Sequence, residues 1–197
     1  MLHAPDGTPI IGIAGWKKSG KTTLTVRLVE EFVRRGAKVA TLKHAHHAFD
    51  IDNGETDSAR HRRAGAAQVA VVSGVRWALV TELKGAPEPN FEEVIGALDP
   101  ADLIIVEGYK TAPIAKIEAR RLASKSQKPL AEEDPLVIAI AADHETVARS
   151  PDGKKLPVFS LDDIQGLADL IERVLGPIER SAGESACSVQ QAPSEPE

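Results

Sequence analysis

Residues 10–22 read Ile10-Ile11-Gly12-Ile13-Ala14-Gly15-Trp16-Lys17-Lys18-Ser19-Gly20-Lys21-Thr22. The run 10–14 is apolar enough for a strand covered on both faces, and Gly15 closes it. From Thr22 the pattern changes: Leu24, Leu28 and Phe32 recur at four-residue spacing, which predicts a helix. Between strand and helix, Gly15 to Thr22 satisfies G-x-x-x-x-G-K-[ST] at every fixed position, in the structural context that gives the motif its meaning.

Glycines let such a loop curl until successive backbone N–H groups point inward, and the unpaired amides of the following helix add partial positive charge. This concavity suits the phosphates of a nucleoside triphosphate. Lys21 would neutralise the β- and γ-phosphates, and the Thr22 hydroxyl would be offered to Mg²⁺. Gly15, Lys18, Ser19, Gly20, Lys21, Thr22 and Thr23 are the nucleotide-binding candidates, Lys21 also being a catalytic one. Trp16 either packs beside the loop or lies on the surface. Lys18 is either a second phosphate cation or a solvated lysine.

Outward from the loop, Gly36 sits where a helix C-cap belongs and residues 38–42 supply a second β-rich run. A βαβ unit follows, with parallel pairing of its two strands as the default. Residues 57–64 are helix-compatible; 69–72 and 77–80 read as successive strands turning at Ser73-Gly74. A short helix over 91–98 is broken by Asp99-Pro100, and 103–106 reads as a strand buried on both faces. Further strands are expected over 114–118, 136–141 and 158–159. An amphipathic helix over 162–175 carries Ile164, Leu167, Leu170, Ile171 and Val174. The expected fold is α/β, three-layered and of P-loop NTPase type, with a mostly parallel sheet. Residues 1–175 would form the nucleotide-binding domain. Residues 176–197, rich in Ser, Ala, Glu, Gln and Pro, read as a tail without fixed structure. Polar residues 124–134 read as a mobile surface loop.

A chain of 197 residues with 42% hydrophobic content suits one core. A formal net charge of −5 supplies no global basic field for a nucleic acid, so none is expected as partner. The single cysteine, Cys187, builds neither a disulfide framework nor a four-thiolate metal site within one chain. No apolar run approaches the roughly 20 residues that span a bilayer, and residues 1–9 lack the regions of a signal peptide. A cytoplasmic protein without membrane partners is the expectation.

A P-loop protein needs a carboxylate near the phosphates to hold Mg²⁺, and a neighbouring buried strand usually supplies it. Leu103-Ile104-Ile105-Val106-Glu107-Gly108 delivers Glu107 at the C-terminal edge, where open α/β sheets place their ligand sites. Glu107 is the metal and catalytic candidate; the alternative is a strand-end glutamate facing solvent. Asp102, at the other end, suits capping or solubility. The stretch Lys43-His44-Ala45-His46-His47-Ala48-Phe49-Asp50-Ile51-Asp52 follows the second strand. It could bind zinc or nickel, or serve as a switch closing over the γ-phosphate, with Asp50 and Asp52 as further Mg²⁺ candidates. Arg60, Arg62 and Arg63 with His61 offer an anion-binding face or a solvated basic helix. The guanine motif N-K-x-D is absent. Asp143, after an apolar strand, could accept from N1–H and the N2 amino group of guanine, or could cap a helical stretch over 144–148.

Several segments in this order resemble the MobB family: the loop Gly15 to Thr22, the stretch Lys43 to Asp52, and Asp57-Ser58 followed by Ala64-Gly65-Ala66. Arg76-Trp77-Ala78-Leu79 and Val106-Glu107-Gly108-Tyr109-Lys110 complete the set. The resemblance runs from about residue 10 to 175. It implies a GTP-binding adaptor of molybdopterin-guanine dinucleotide biosynthesis, a homodimer with weak GTPase activity. Such an adaptor assists a MobA-type guanylyltransferase in joining GMP to molybdopterin, the pterin being a further candidate ligand. GTP and Mg²⁺ are then the expected ligands, held by Lys21, Thr22 and Glu107. Two other functions fit the residues: a metallochaperone GTPase using His44, His46 and His47, and a small-molecule kinase with residues 124–134 as its lid.

Overall fold

The computed structural model describes residues 3–45 and 56–178. His46, His47, Asp50 and Asp52 lie outside the described residues, as do 179–197. In chain order the elements are β1 (Ile10–Ala14), α1 (Lys21–Arg34), β2 (Val39–Lys43), α2 (Asp57–Arg63), β3 (Gln68–Val72) and β4 (Trp77–Thr81). They continue with α3 (Phe91–Gly96), β5 (Leu103–Glu107), β6 (Lys116–Arg120), β7 (Val137–Ala142), β8 (Val158–Ser160) and α4 (Ile164–Leu175). Two compact units result, one from Met1–His44 with Leu98–Glu197 and one from Ala45–Ala97.

The larger unit is built on a six-stranded sheet in the order β2-β5-β1-β6-β7-β8, and every neighbouring pair is parallel. The default pairing of β1 with β2 is therefore corrected, because β5 lies between them. The reason is burial: Leu103, Ile104, Ile105 and Val106 are all nearly inaccessible, and only an interior position covers both faces of such a run. β2, half-exposed along its length, takes the edge.

One face of this sheet packs α1 and α4. Leu24, Leu28 and Phe32 of α1 bury completely against Ile11, Ile13, Ile105 and Ile117, and Leu167, Leu170 and Ile171 of α4 extend the same core. Ile178, grouped with the tail by its neighbours' composition, joins this core as well. On the opposite face Val137, Ile140 and Ala142 pack with Ala131, Ala148 and Leu156.

The smaller unit holds an antiparallel hairpin of β3 and β4 with Val72 opposite Trp77 and Ala70 opposite Leu79. Its connection Ser73–Arg76 closes with the Ser73 amide donating to the Arg76 carbonyl at 2.9 Å. Thr56 caps α2, and Asn90 with Glu93 forms a capping box on α3. Arg60 pairs with Asp57 of the same helix, and Arg62 with Glu82 just after β4, so two of the basic residues of α2 have carboxylate partners.

Arg35 fastens the two helices of the larger unit, reaching Glu31 on α1 at 2.8 Å and Asp169 and Glu172 on α4 at 2.7 and 2.9 Å. Hydrogen bonds from Arg34 and Arg35 lower the Glu31 carboxyl from its ordinary 4.5 to about 2. A folded pKa below the unfolded one stabilises fully above the unfolded value and is lost as pH falls through the folded one. Glu31→Gln should therefore lower the melting temperature at neutral pH, and the gap to the parent should narrow steadily from pH 4.5 towards 2. Thermal unfolding across that range checks it; a gap independent of pH would contradict the ion-pair account.

Candidate functional site

Helix α1 begins without a side-chain cap: its N-cap is Gly20, at φ 93°, and its first turn carries no acidic residue. The helix thereby presents its amides and its positive end to the outside, which favours a bound anion. Lys18, Ser19, Gly20, Lys21, Thr22 and Thr23, with Arg121 and Ala123, line a recess of about 370 Å³ there. Lys18 itself takes a left-handed φ of 69° with its side chain in solvent. Gly15 has no room for a side chain, since a Cβ would lie 2.4 Å from Ser19 Oγ and 2.6 Å from the Ala119 carbonyl. Ser19 is buried, and its hydroxyl has no hydrogen-bond partner among the described residues.

Lys21 Nζ donates to the Trp16 carbonyl at 2.8 Å. Burial lowers its pKa; the Glu107 carboxylate opposes this shift, and Lys110 and Lys43 add to it. Thr22 Oγ1 donates to Glu107 Oε1 at 2.6 Å, and Lys43 Nζ stands 3.3 Å from that same oxygen. Glu107 is thus buried and turned into the site, so the solvent-facing alternative falls. Asp102, at the other end of β5, accepts from the Lys38 amide at 2.7 Å, the capping role expected of it.

The segment after β5 folds back over this edge. Gly108, at φ 93°, passes so close to His44 that a Cβ would meet the His44 Cβ at 3.2 Å. The rings of His44 and Tyr109 lie 4.5 Å apart, and Lys110 Nζ sits 3.9 Å from the centre of the Trp16 ring. Trp16 therefore belongs beside the loop: its Nε1 donates to the Lys128 carbonyl at 2.6 Å. Residues 124–134 are not a free loop, contrary to the expectation. Ser124 Oγ and the Lys125 amide both donate to the Lys17 carbonyl, while the Leu130 and Ala131 amides donate to buried Glu118. The physical reason is that Glu118 on β6, nearly inaccessible, needs donors, and this segment supplies them.

Asp143 directly follows β7 and borders a second recess with Ala142, His144, Thr146, Phe159 and Ser160. No helix follows it, so the cap reading is corrected: residues 144–148 are irregular. Its Oδ1 instead accepts from the Leu122 amide at 3.1 Å and lies 2.9 Å from His144 Nδ1. The hydrogen bond to His144 is the main cause of a carboxyl pKa below the ordinary value.

The structure thus brings together Gly15 to Thr23 and Glu107, and sets Asp143 at the same sheet edge two strands along. Sequence reading missed Lys43, Lys110 and Arg121. Each follows the C-terminal end of a strand or occupies it, and a fully parallel sheet would have drawn attention to all three.

The parallel sheet, the glycine loop and the uncapped helix define the P-loop NTPase-type class of α/β fold. A family model described as MobB, molybdopterin guanine dinucleotide synthesis protein B, matches residues 10–143. The chain is 36% identical over 165 residues to the molybdopterin-guanine dinucleotide biosynthesis adapter protein of Escherichia coli (strain K12), covering 83% of this chain and 91% of that one. The protein of that name from Haemophilus influenzae is 35% identical over 178 residues, covering 89% and 94%. The crystal structure of Bacillus subtilis MobB superposes with a TM-score of 0.63 at 26% identity, over 85% of this chain and 98% of that one. The chain belongs to the MobB family.

Proposed function

We propose that this chain is an adapter of molybdopterin-guanine dinucleotide biosynthesis that binds GTP with Mg²⁺ in the loop Gly15 to Thr22. The observation that carries the nucleotide reading is the pairing of an uncapped helix N-terminus with the Thr22–Glu107 contact of 2.6 Å, both at one sheet edge. Hydroxyl and carboxylate oxygens at this separation form the hard donor set that Mg²⁺ takes, and Thr22 and Glu107 would hold it. Bound there, Mg²⁺ would supply positive charge that neutralises the triphosphate. Lys21 would leave the Trp16 carbonyl for the phosphate oxygens, and the loop amides would orient the triphosphate.

Slow hydrolysis suits the site. Gln127 is committed to the carbonyls of Arg121, Leu122 and Ser124, and Glu107 to Thr22 and Lys43, so neither is set to align water. Guanine would be read at Asp143, whose Oδ1 holds both of its protein contacts and whose second oxygen faces neither. The relatives named biosynthesis adapters support a partner enzyme of that biosynthesis; the partner proposed is a MobA-type guanylyltransferase, with the pterin carried by either protein. A second copy of the chain is the proposed cover for the hairpin face of Val72, Trp77 and Leu79, which are 75%, 64% and 51% exposed.

Lys21→Ala should fold normally and weaken GTP about tenfold to a hundredfold, the worth of one or more charge-assisted hydrogen bonds. Calorimetry checks it, and unchanged affinity would remove the loop from the binding site. Asp143→Asn should erase about 1–3 kcal/mol of preference for GTP over ATP, because the amide nitrogen would face a guanine donor. Competition between the two nucleotides at fixed Mg²⁺ measures this; an unaltered ratio puts base reading elsewhere. Trp77→Glu should shift sedimentation from dimer to monomer, whereas an unaltered sedimentation coefficient would place the contact on another surface.

A further inference from the structure

Arg121 directly follows β6, and its side chain lies along the phosphate loop. A Cβ placed on Gly20 would come within 2.7 Å of Arg121 Nε and 3.1 Å of its Cζ. The residue lines the recess of Lys18 to Thr23 and is only half-buried. Its backbone is fixed: the carbonyl accepts from the Ser124 amide at 2.9 Å and Gln127 Nε2 at 3.1 Å, and the next amide is held by Asp143. Its guanidinium, by contrast, forms no hydrogen bond or ion pair among the described residues. Five donors on a rigid fork are thus held over an anion-binding loop without an acceptor.

Topology decides which part of a nucleotide this fork can meet. On the β5 side of β1 stand Thr22, Glu107 and Lys43, the group suited to Mg²⁺ and the γ-phosphate. On the other side the strands run β6 then β7, and Asp143 directly follows β7. Arg121, at the end of β6, stands between the phosphate loop and Asp143. Its attraction for the Asp143 carboxylate contributes to that group's lowered pKa, which agrees with this intermediate position. A triphosphate laid along the edge puts its γ-phosphate towards β5 and its nucleoside towards β7, leaving the α-phosphate nearest β6.

We propose that Arg121 is a nucleotide-binding residue whose guanidinium donates to the α-phosphate, on the side of the loop away from the Mg²⁺ site. The assignment rests on the nucleotide reading above. It differs from a catalytic arginine, which would have to reach the γ-phosphate on the β5 side.

The test is calorimetric titration of the full chain, Arg121→Ala and Arg121→Lys with GTP, GDP and inorganic tripolyphosphate, each with Mg²⁺. GTP and GDP share the α-phosphate, and tripolyphosphate offers a terminal phosphate in its place. Arg121→Ala should therefore weaken each by about the same factor, roughly tenfold for a charge-assisted hydrogen bond that is partly exposed, and Arg121→Lys should recover part of the loss. A loss for GTP and tripolyphosphate that spares GDP would move the contact to the γ-phosphate and overturn the proposal. A loss for both nucleotides but not for tripolyphosphate would assign Arg121 to the base and overturn it equally. If the parent binds all three and the alanine variant binds them equally well, Arg121 alone is misassigned. If the parent binds none, the nucleotide reading fails and this assignment fails with it. Arg121→Lys keeps the charge and stem against Gly20, so it tests the contact even where alanine perturbs folding.

Discussion

The hydrogen bond from Thr22 to Glu107 exists because β5 lies beside β1 in one particular register, with Ile13 opposite Glu107. Side chains alternate along a strand, so a slip of one residue would turn Glu107 to the other face and leave Thr22 facing an apolar neighbour. The register is held by burial. Ile11, Ile13 and Ile105 all lie in the core beneath α1, and a slip of one residue in either strand would turn its isoleucines out of it. Core packing thereby fixes a polar contact at the sheet's edge. The same register draws in Lys43, because β2 pairs Lys43 with Glu107 from the other side.

Charge is distributed unevenly along this edge. Burial is the main cause of the lowered Lys21 pKa; Glu107 is the carboxylate that opposes it, and Lys110 and Lys43 add to it. An anion placed there would relieve the mutual repulsion of the lysines as well as gain their attraction. The uncapped start of α1 adds to the same effect, since a serine or aspartate at Gly20 would satisfy the amides internally and lower their value for a ligand. Towards β7 the sign changes, with Asp143 facing outward beside His144. The edge is positive where phosphates would lie and acidic where the hydrogen-bond donors of a base could be read.

Most of the fold was legible in the sequence, and the reasons are local. Fourfold spacing of Leu24, Leu28 and Phe32 and the apolar runs of β1, β5 and β7 each depend on near neighbours in the chain. The order of strands was not legible in the same way. Nothing within residues 38–42 says that β5 will separate them from β1; that depends on which strand must be covered on both faces, a comparison across the whole chain. The loop and Glu107 were legible because motif and strand end coincide. Arg121 was not, since it follows an ordinary strand and gains meaning only from the parallel neighbours that bring its end to the loop. The helix expected over 144–148 failed for a related reason: Asp143 found a partner in the distant Leu122 amide instead of in the amides that follow it.

The segment 121–134 shows how buried charge can specify position. Lys116 and Glu118 project from β6 and are each about 1% exposed, a costly placement for ionised groups. Lys116 meets Asp134 at 2.8 Å; Glu118 meets Arg120 at 2.8 Å and also receives the Leu130 and Ala131 amides. Apolar residues of similar volume could match or exceed the stability of such pairs, so net stabilisation is a weak reason for them. What apolar residues could not do is choose one alignment of an otherwise polar, glycine-free segment against the strand. The last five residues of the segment are pinned, Leu130 and Ala131 at Glu118 and Asp134 at Lys116, and its earlier part meets Lys17 and Trp16 through Ser124, Lys125 and Lys128. The phosphate loop is consequently backed by a segment whose register is set on the opposite side of the same strand. A change in the loop's conformation would have to be accommodated by that segment, which links Trp16 and Lys17 mechanically to the buried charges beneath β6.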